Sequence, residues 1–499
     1  MAVIVRNLTN VLLYQNHLFL HFILVTWGLI FSLFIAPVTY CVAQPFQKTI
    51  GANDLDKARV MKSIPGDGFI IGGETARPGS NETDDLLLQV DQKGTVQWSK
   101  SYGGIERETV NDLTIAPDSG FLLAAEKYKL NASDGEFLQL IKTDQYGNMQ
   151  WKKTYDEGGS ELEGYSVITL SRGGYLFSGL VKNLSIASSI FYTMKEETQS
   201  LYLLKTDEKG NKQWSGTLTL GTDEKFAATG LSSLELQDGN YLTAGYLIRE
   251  GKNESVPQKP VEDYGNNRIR KILLLKNGPD GSLQWAKTFP GFQNAAAYSM
   301  IQTSEGDLMI AGVTLDRSET STEIAVLRTD RKGNVKWAKT YHLEGYQSVA
   351  SIRETHKGNF AIAGLTRHNE ANKDDGYLLQ IGKQGKILWA KGIGASNNEL
   401  LTSLAVKGKW HYYTGATLSE PAQSLDVFLG RTDARGAINC RSEDLPVETH
   451  GVNVNGRLVQ DVSFEKLVFD ESSDALRPKS SRNVEQKSKS VKEQNICDQ

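Results

Sequence analysis

The sequence has few of the residues on which many catalytic and metal sites depend. Of its 499 residues, 7 are histidine and 3 are cysteine. The histidines that follow residue 43 are scattered without the spacing of metal ligands, and no G-x-S-x-G, H-E-x-x-H, C-x-x-C or Walker motif occurs. The sequence therefore predicts no cofactor and no metal, and it assigns no catalytic residue.

An excess of positive charge is also missing. Lys and Arg number 55 against 59 Asp and Glu, which gives a net charge of −4, whereas nucleic-acid-binding proteins usually carry a basic surface. We therefore expect no nucleic-acid partner. Proline is scarce at 12 residues, but the 47 glycines and a hydrophobic fraction of 39% indicate an all-β protein whose packed strands are joined by tight turns.

Only one long apolar run occurs, at the N-terminus. Leu18 to Ala43 is almost wholly apolar and follows a weakly basic stretch, as in an export signal. Small side chains at Cys41 and Ala43 predict cleavage before Gln44, but the run is also long enough to remain as a membrane anchor, for which about 20 residues suffice. Residues 1–43 are thus a signal peptide or an anchor of a secreted, periplasmic or cell-envelope protein.

Cleavage would leave two cysteines, Cys440 and Cys497. An oxidising compartment would permit a disulfide between them that pins the C-terminal tail. The sequence equally allows two unpaired thiols, because it does not give their separation.

A repeat of about 52 residues fills most of the chain. Its clearest marker is Gly-x-x-x-Trp, which occurs six times, and a seventh copy has Cys440 in place of the tryptophan. Each unit contains four short apolar segments separated by turn signals, the pattern of one propeller blade. We expect the repeat tryptophans to be structural, wedged between neighbouring blades: Trp98, Trp151, Trp214, Trp285, Trp337 and Trp389.

The repeat resembles those of bacterial-type β-propeller proteins. The similarity lies in an Asp-Gly-Gly-like turn, a Lys-Thr-Asp-x-x-Gly turn such as Lys142 to Gly147, and a Trp-x-Lys-Thr strand such as Trp151 to Thr154. It covers residues 44–440 and implies a fold, not an activity. A more distant similarity is to quinoprotein propellers, although those have one more residue between Asp and Gly and typically eight blades.

The ends of this region predict how the ring closes. Phe46 to Ile50 has the pattern of a fourth strand, and the seventh unit has three good strands but a truncated fourth. We therefore predict a seven-bladed β-propeller closed by an N-terminal strand. Residues 441–499 form a C-terminal extension, which we expect to be largely disordered from about 472 because it is charged and rich in Ser and Lys.

The turn lengths distinguish the two faces of the ring. The first-to-second and third-to-fourth turns are short in every unit and define the turn face, whereas the second-to-third loops and the blade connections define the loop face. Insertions fall on the loop face, at Val181–Ser200 and Ile248–Lys271. Loops on a rigid scaffold often carry recognition residues, and these offer Phe191, Tyr192 and Tyr264, although the same aromatics could pack only against their own blades.

Acidic residues recur at two kinds of position. Pairs precede some third strands, at Asp84-Asp85 and Asp374-Asp375, and we expect solvated strand-end charges there rather than a calcium site. The aspartates of the third-to-fourth turns should bond the turn backbone: Asp91, Asp144, Asp207, Asp330 and Asp433.

These patterns indicate a monomeric, exported propeller that binds a protein or a glycan through its loop face. The alternative is an enzyme, either a glycan-active protein with two carboxylates in the central depression or a quinoprotein-like propeller.

Overall fold

The computed structural model describes residues 44–495 with gaps. The residues outside the description are 1–43, 52–54, 67, 78–81, 105, 129–135, 156, 158–159, 187–194, 221–225, 251–267, 317–320, 369–372, 395–397, 420–423, 438–441, 456, 460–461, 467–484, 489–491 and 496–499. The N-terminal apolar run, Cys440 and Cys497 therefore lie outside the described residues. No helix of the described part is long and apolar enough to cross a membrane.

Seven antiparallel sheets form the seven blades of a β-propeller, which confirms the predicted fold class. The strands of blades 1 to 4 are β2 Asp56–Ser63, β3 Phe69–Ala76, β4 Thr83–Val90, β5 Val96–Gly103; β6 Arg107–Ile115, β7 Phe121–Tyr128, β8 Glu136–Thr143, β9 Met149–Tyr155; β10 Glu161–Thr169, β11 Tyr175–Ile186, β12 Lys195–Thr206, β13 Lys212–Leu220; β14 Phe226–Glu235, β15 Tyr241–Glu250, β16 Arg268–Asn277 and β17 Leu283–Phe289.

The remaining blades follow the same order, with the innermost strand first. Their strands are β18 Gln293–Gln302, β19 Leu308–Leu315, β20 Thr322–Thr329, β21 Val335–His342; β22 Tyr346–Glu354, β23 Phe360–His368, β24 Lys373–Ile381, β25 Ile387–Ile393; β26 Glu399–Lys407, β27 Trp410–Ser419, β28 Ser424–Thr432 and, completing blade 7, β1 Phe46–Gly51.

The N-terminal strand closes the ring as predicted. β1 pairs antiparallel with β28, with Phe46 opposite Arg431 and Ile50 opposite Val427. Ile50 is buried in the core that blades 7 and 1 share. The first and last parts of the propeller thus lie in one sheet, so the ring has no open blade edge at its seam.

Each repeat tryptophan lies against a turn of the next blade. A Cβ built at Gly147 of blade 2 would lie 2.7 Å from the Trp98 ring of blade 1, and one at Gly94 of blade 1 would lie 2.7 Å from the Phe46 ring of blade 7. These turn glycines have positive φ, 75° at Gly147, which favours glycine. The same contact joins Trp151 to Gly210, Trp214 to Gly281, Trp285 to Gly333, Trp337 to Gly385 and Trp389 to Gly436.

The turn aspartates bond their own turns. Asp144 Oδ1 accepts hydrogen bonds from the N–H groups of Tyr146 and Asn148, both at 2.8 Å. Matching bonds occur at Asp91, Asp207, Asp330 and Asp433.

The insertions of blades 3 and 4 are partly strand rather than loop. β11 and β12 pair as far as Ile186 opposite Lys195, and β15 and β16 as far as Glu250 opposite Arg268. The sequence did not predict these extensions, since a hairpin can lengthen through backbone hydrogen bonds without an apolar pattern.

Every innermost strand contains a β-bulge at the same place, next to the axis. The residue skipped by the pairing is Arg59, Asn111, Tyr165, Leu231, Tyr298, Ala350 and Thr402 in blades 1 to 7.

In five of the seven blades the side chain of the residue after the bulge bonds the neighbouring blade. It is serine in blades 3 to 7, and Ser403 Oγ accepts a hydrogen bond from the Met61 N–H of blade 1 at 3.0 Å. Comparable bonds run from Ser233 N–H to Ser166, Met300 N–H to Ser232, Ile352 N–H to Ser299 and Val167 N–H to Asp112. The serines of blades 3, 4, 5 and 7 are therefore part of the framework of the ring.

The C-terminal tail adds outer strands to the blades, in the reverse of chain order. It contributes β29 Ser442–Asp444 to blade 6, β30 Glu448–Gly451 to blade 5, β31 Arg457–Leu458 to blade 4, β32 Val462–Lys466 to blade 3, β33 Glu485–Ser488 to blade 1 and β34 Lys492–Asn495 to blade 7. Among the described residues, blade 2 has four strands. The disorder expected from about residue 472 stays a prediction for most of that segment, although its eight described residues in β33 and β34 are strand.

Removing residues 442–499 is expected to lower the thermal midpoint and to promote aggregation, because the deletion exposes six paired sheet edges. Each lost backbone hydrogen bond contributes about 0.5–1.5 kcal/mol. A shorter deletion, 485–499, removes only β33 and β34 and should have a smaller effect. Differential scanning calorimetry of the three proteins tests this, and equal midpoints would show that the tail strands do not stabilise the ring.

Candidate functional site

A cavity of about 290 Å³ lies on the axis, enclosed by the innermost strands. Its lining includes the bulge residues Arg59, Asn111 and Tyr165 of blades 1 to 3. Each of these three side chains bonds a carboxylate. The bulge residues of blades 4 to 7 are Leu231, Tyr298, Ala350 and Thr402, so the ring is chemically asymmetric.

Two of the carboxylates occupy one position of the repeat, near the loop-face end of the second strand. In each second strand a Gly or Ala pairs with the residue just before the bulge, and the position in question comes directly after that Gly or Ala. It is Glu74 in blade 1 and Glu126 in blade 2. The other blades have Leu180, Tyr246, Val313, Leu365 and Ala416 there. Sequence reasoning missed both glutamates, although aligning the repeats would have revealed them as exceptions.

Glu74 is held from two blades. Its Oε1 lies 3.2 Å from Arg59 Nη2, and its Oε2 accepts a hydrogen bond from Thr109 Oγ1 at 3.0 Å. Arg107 Nη2 lies 3.8 Å from Oε2. Because two cations already pair with this buried carboxylate, Glu74 is best suited to orienting Arg59 at the channel.

Glu126 faces the channel through Asn111. Asn111 Nδ2 donates to Glu126 Oε1 at 2.5 Å and to the Gly164 carbonyl of blade 3 at 3.2 Å, and Tyr128 donates to Oε2 at 2.8 Å. Burial raises the pKa of Glu126 despite these hydrogen bonds.

Glu136 and Glu163 form a carboxyl pair between blades 2 and 3. Lys182 Nζ joins the two side chains, at 3.2 Å from Glu136 Oε2 and in direct ion-pair contact with Glu163. Tyr165 donates its hydroxyl to Glu163 Oε2. Glu136, at 23% side-chain exposure, and Glu163, at 13%, keep some contact with solvent.

The pKa values of this pair move in opposite directions. Burial raises the pKa of Glu136 to about 7, and the neighbouring Glu163 adds to the shift. Burial acts on Glu163 too, but its contacts with Glu136, Lys182 and Tyr165 outweigh it and hold the pKa of Glu163 below its usual range. Below about pH 7 the pair therefore favours one proton, on Glu136, and one negative charge, on Glu163.

We define the mouth cluster as Asn111, Glu126, Tyr128, Glu136, Glu163, Tyr165 and Lys182. Its carboxylates lie near the ends of strands that open on the loop face, the face predicted from the sequence to be functional. The position around the ring differs from the prediction. The sequence favoured blades 3 and 4, whereas the mouth cluster lies at blades 2 and 3. The predicted contacts Phe191, Tyr192 and Tyr264 lie outside the described residues. Within the described part, no group of three His, Cys, Asp or Glu side chains is placed to hold a metal.

A second acidic group is buried between blades 1 and 2. Lys152 Nζ pairs with Glu108 Oε1 at 2.9 Å, while the fully buried Asp85 has no hydrogen-bond partner for either carboxyl oxygen among the described residues. Burial, reinforced by Glu108, raises the pKa of Asp85 well above its usual value. The sequence predicted a solvated Asp84-Asp85 pair, but Asp84 pairs with Arg77 and Asp85 lies in the core.

Asp85→Asn is expected to stabilise the protein at pH 8. The stabilisation from protonated Asp85 is complete below its unfolded pKa, near 3.9, and is lost as the pH rises through the raised folded pKa. The urea midpoint of the variant should exceed that of the parent at pH 8 and converge with it towards pH 4.

Asp118→Asn serves as the opposite control. The hydrogen bond and the charge of Lys142 hold the pKa of Asp118 below its usual value despite some burial. Ionised Asp118 therefore stabilises the fold, and the variant should lose stability at pH 8. The account of Asp85 is wrong if Asp85→Asn lowers the midpoint at pH 8 as Asp118→Asn does.

Comparison with known proteins gives the fold alone. No protein-family model and no curated protein matches the sequence. Among solved structures, the polysaccharide lyase Uly1 is similar over 78% of this chain and 99% of its own, at 10% identity and a TM-score of 0.43. The α-L-arabinanase of Penicillium chrysogenum, solved with arabinobiose, is similar over 79% and 99%, at 10% identity and a TM-score of 0.41. Similarity at this level assigns no activity to this chain.

Proposed function

We propose that the protein is an exported, glycan-active β-propeller whose mouth cluster binds the glycan and supplies acid–base chemistry. The observation that carries the proposal is the pair Glu136 and Glu163, which Lys182 joins and which the cavity-lining Tyr165 contacts through Glu163. Their surroundings move the two pKa values in opposite directions. Two carboxyl groups in different protonation states are what glycosidic bond cleavage requires.

In this proposal Glu136 is the proton donor and Glu163 the base. Water attacks the anomeric carbon and gives a proton to ionised Glu163, while the glycosidic C–O bond breaks and Glu136 gives its proton to the leaving oxygen. Lys182 keeps Glu163 ionised, and Tyr165 and Asn111 are placed at the cavity to bond sugar hydroxyls. Cleavage also requires the pair to open around the bond, because glycosidase carboxyls are separated by about 5–9.5 Å.

The contacts of Lys182 that hold Glu136 and Glu163 together favour a second candidate, a propeller that binds a glycan without cleaving it. Export through residues 1–43 is common to both candidates. N-terminal sequencing of the exported protein tests that part, with a start at Gln44 expected for a cleaved signal.

A panel of oligosaccharides distinguishes the two candidates. Xylohexaose, arabinohexaose, oligogalacturonides and chondroitin sulfate oligosaccharides would be incubated with the full chain, with release of reducing ends and calorimetric binding both measured. We expect cleavage that a Glu136→Gln/Glu163→Gln variant loses and an exposed turn-face control, Glu208→Gln, retains. Binding without cleavage would support the second candidate, and neither binding nor cleavage would overturn both.

A further inference from the structure

Two basic side chains reach the axial cavity from one position of the repeat. Lys62 in blade 1 and Arg353 in blade 6 each lie three residues after the bulge, and both line the cavity. The other five blades carry uncharged residues at this position: Thr114, Ile168, Leu234, Ile301 and Ala405. The packing of the repeat therefore does not require a basic side chain at this position.

The Cα atoms of the two residues lie on the turn-face side of the bulges, in the part of the channel that we call the deep channel. Three residues of strand span about 10 Å, and the Lys62 side chain reaches back to Asp112, which follows a bulge. Blade 7 separates them in the ring and has only Ala405 at the equivalent position. Ala405 is buried in the core that blades 7 and 1 share, so blade 7 places no charged side chain between the two cations at this position.

The positive charge at this depth is only partly balanced. Lys62 Nζ pairs with Asp112 Oδ1 at 3.0 Å. Arg353 donates Nη1–H to the Ile352 carbonyl at 2.7 Å, and among the described residues it forms no ion pair. A guanidinium has five N–H donors, so Arg353 has donors to spare in the cavity.

Ser351 adds an unsatisfied hydroxyl beside these charges. In blades 3, 4, 5 and 7 the ring serine accepts a hydrogen bond from the next blade. Ser351 of blade 6 lines the cavity and is 3% exposed, and its Oγ has no hydrogen-bond partner among the described residues. Buried polar atoms are rarely left unpaired.

We propose that the deep channel binds an oxyanion on Arg353, Ser351 and Lys62, and that this anion is the carboxylate or sulfate of an acidic glycan. The proposal rests on the proposed function, because the sugar that carries the anion would extend from this site to the mouth cluster. Arginine forms paired hydrogen bonds to planar oxyanions, and the cavity, of about 290 Å³, lies near the lower limit of ligand pockets.

The experiment is calorimetry on the full chain with oligogalacturonides, chondroitin sulfate oligosaccharides, neutral xylohexaose and inorganic sulfate. We expect an acidic oligosaccharide to bind more tightly than xylohexaose, and Arg353→Gln to weaken that binding about tenfold or more, the effect of losing a charged hydrogen bond. Arg353→Lys should retain part of the affinity, and Ser351→Ala should lose a smaller part. The exposed turn residue Arg435 provides the matched control, Arg435→Gln, with unchanged affinity expected.

Each result bears on one proposal or the other. Equal affinity of Arg353→Gln and the parent for acidic oligosaccharides, or no binding of these or of sulfate by the parent, would overturn the anion site. Cleavage or binding of xylohexaose in that case would leave the proposed function standing. Sulfate binding that Arg353→Gln abolishes, with no oligosaccharide bound or cleaved, would support the anion site and overturn its assignment to a glycan. Retained carboxylate binding without sulfate binding would identify a uronate as the ligand group.

Discussion

Deletion of residues 44–51 is expected to destabilise the propeller more than any single side-chain substitution. The deletion removes β1, which pairs with β28 on one side and with β34 on the other, and it removes the buried Ile50 and the Phe46 ring that lies against Gly94. Blade 7 would keep three strands of its own, and the seam of the ring would open. We expect aggregation or a thermal midpoint lower by many degrees.

Two controls separate ring closure from simple loss of contacts. Ile50→Val should cost about 0.5–1.5 kcal/mol and Ile50→Ala about 2–5 kcal/mol, both less than the deletion. A synthetic peptide of residues 44–51 added to the deletion protein should restore part of the midpoint, because the vacated edge of β28 can pair with it. A midpoint unchanged by the deletion would show that β1 does not close the ring.

Glu163→Gln is expected to lower glycan cleavage by about a hundredfold or more, the usual contribution of a general acid or base. The substitution is close to isosteric and removes the negative charge while retaining a hydrogen-bonding group for Tyr165. Glu208→Gln, in an exposed turn, should leave the rate unchanged. Initial rates on the cleaved oligosaccharide at fixed pH measure both, and full activity of Glu163→Gln would exclude it as the base.

The pH profile tests the roles within the pair. Because the proton donor is Glu136, with a pKa of about 7, activity should fall as the pH rises through about 7. Lys182→Met removes a positive charge that favours ionisation of Glu136, so the alkaline limb of its profile should move to higher pH. A profile that rises through pH 7, or a shift of the limb to lower pH in Lys182→Met, would contradict the assignment.

The fold was largely predictable because its determinants are local and repeated. A glycine with positive φ in each third-to-fourth turn, such as Gly147, and a tryptophan four residues later mark every blade but the last. The closing strand was predictable because Phe46 to Ile50 repeats the pattern of Trp98 to Tyr102. The tail strands were not predictable, because short edge strands such as Arg457–Leu458 form through backbone hydrogen bonds, which any sequence can provide.

The candidate site was less predictable because its chemistry arises between blades. Glu74 and Glu126 stand out in the aligned repeats. Glu136, Glu163 and Lys182, in contrast, come from three strands of two blades, and only the ring brings them together. Arg353 was hidden for a similar reason, since its significance depends on the cavity that seven separate strands enclose.

A crystal structure of Glu163→Gln with the acidic oligosaccharide that binds most tightly in the panel would test both the mouth cluster and the anion site. The account predicts sugar at the loop-face mouth of the channel, in contact with Asn111, Tyr165 and Glu136. An acidic group of that sugar should lie within hydrogen-bond distance of Arg353. Sugar bound only on the turn face or on the outer strands would contradict the account.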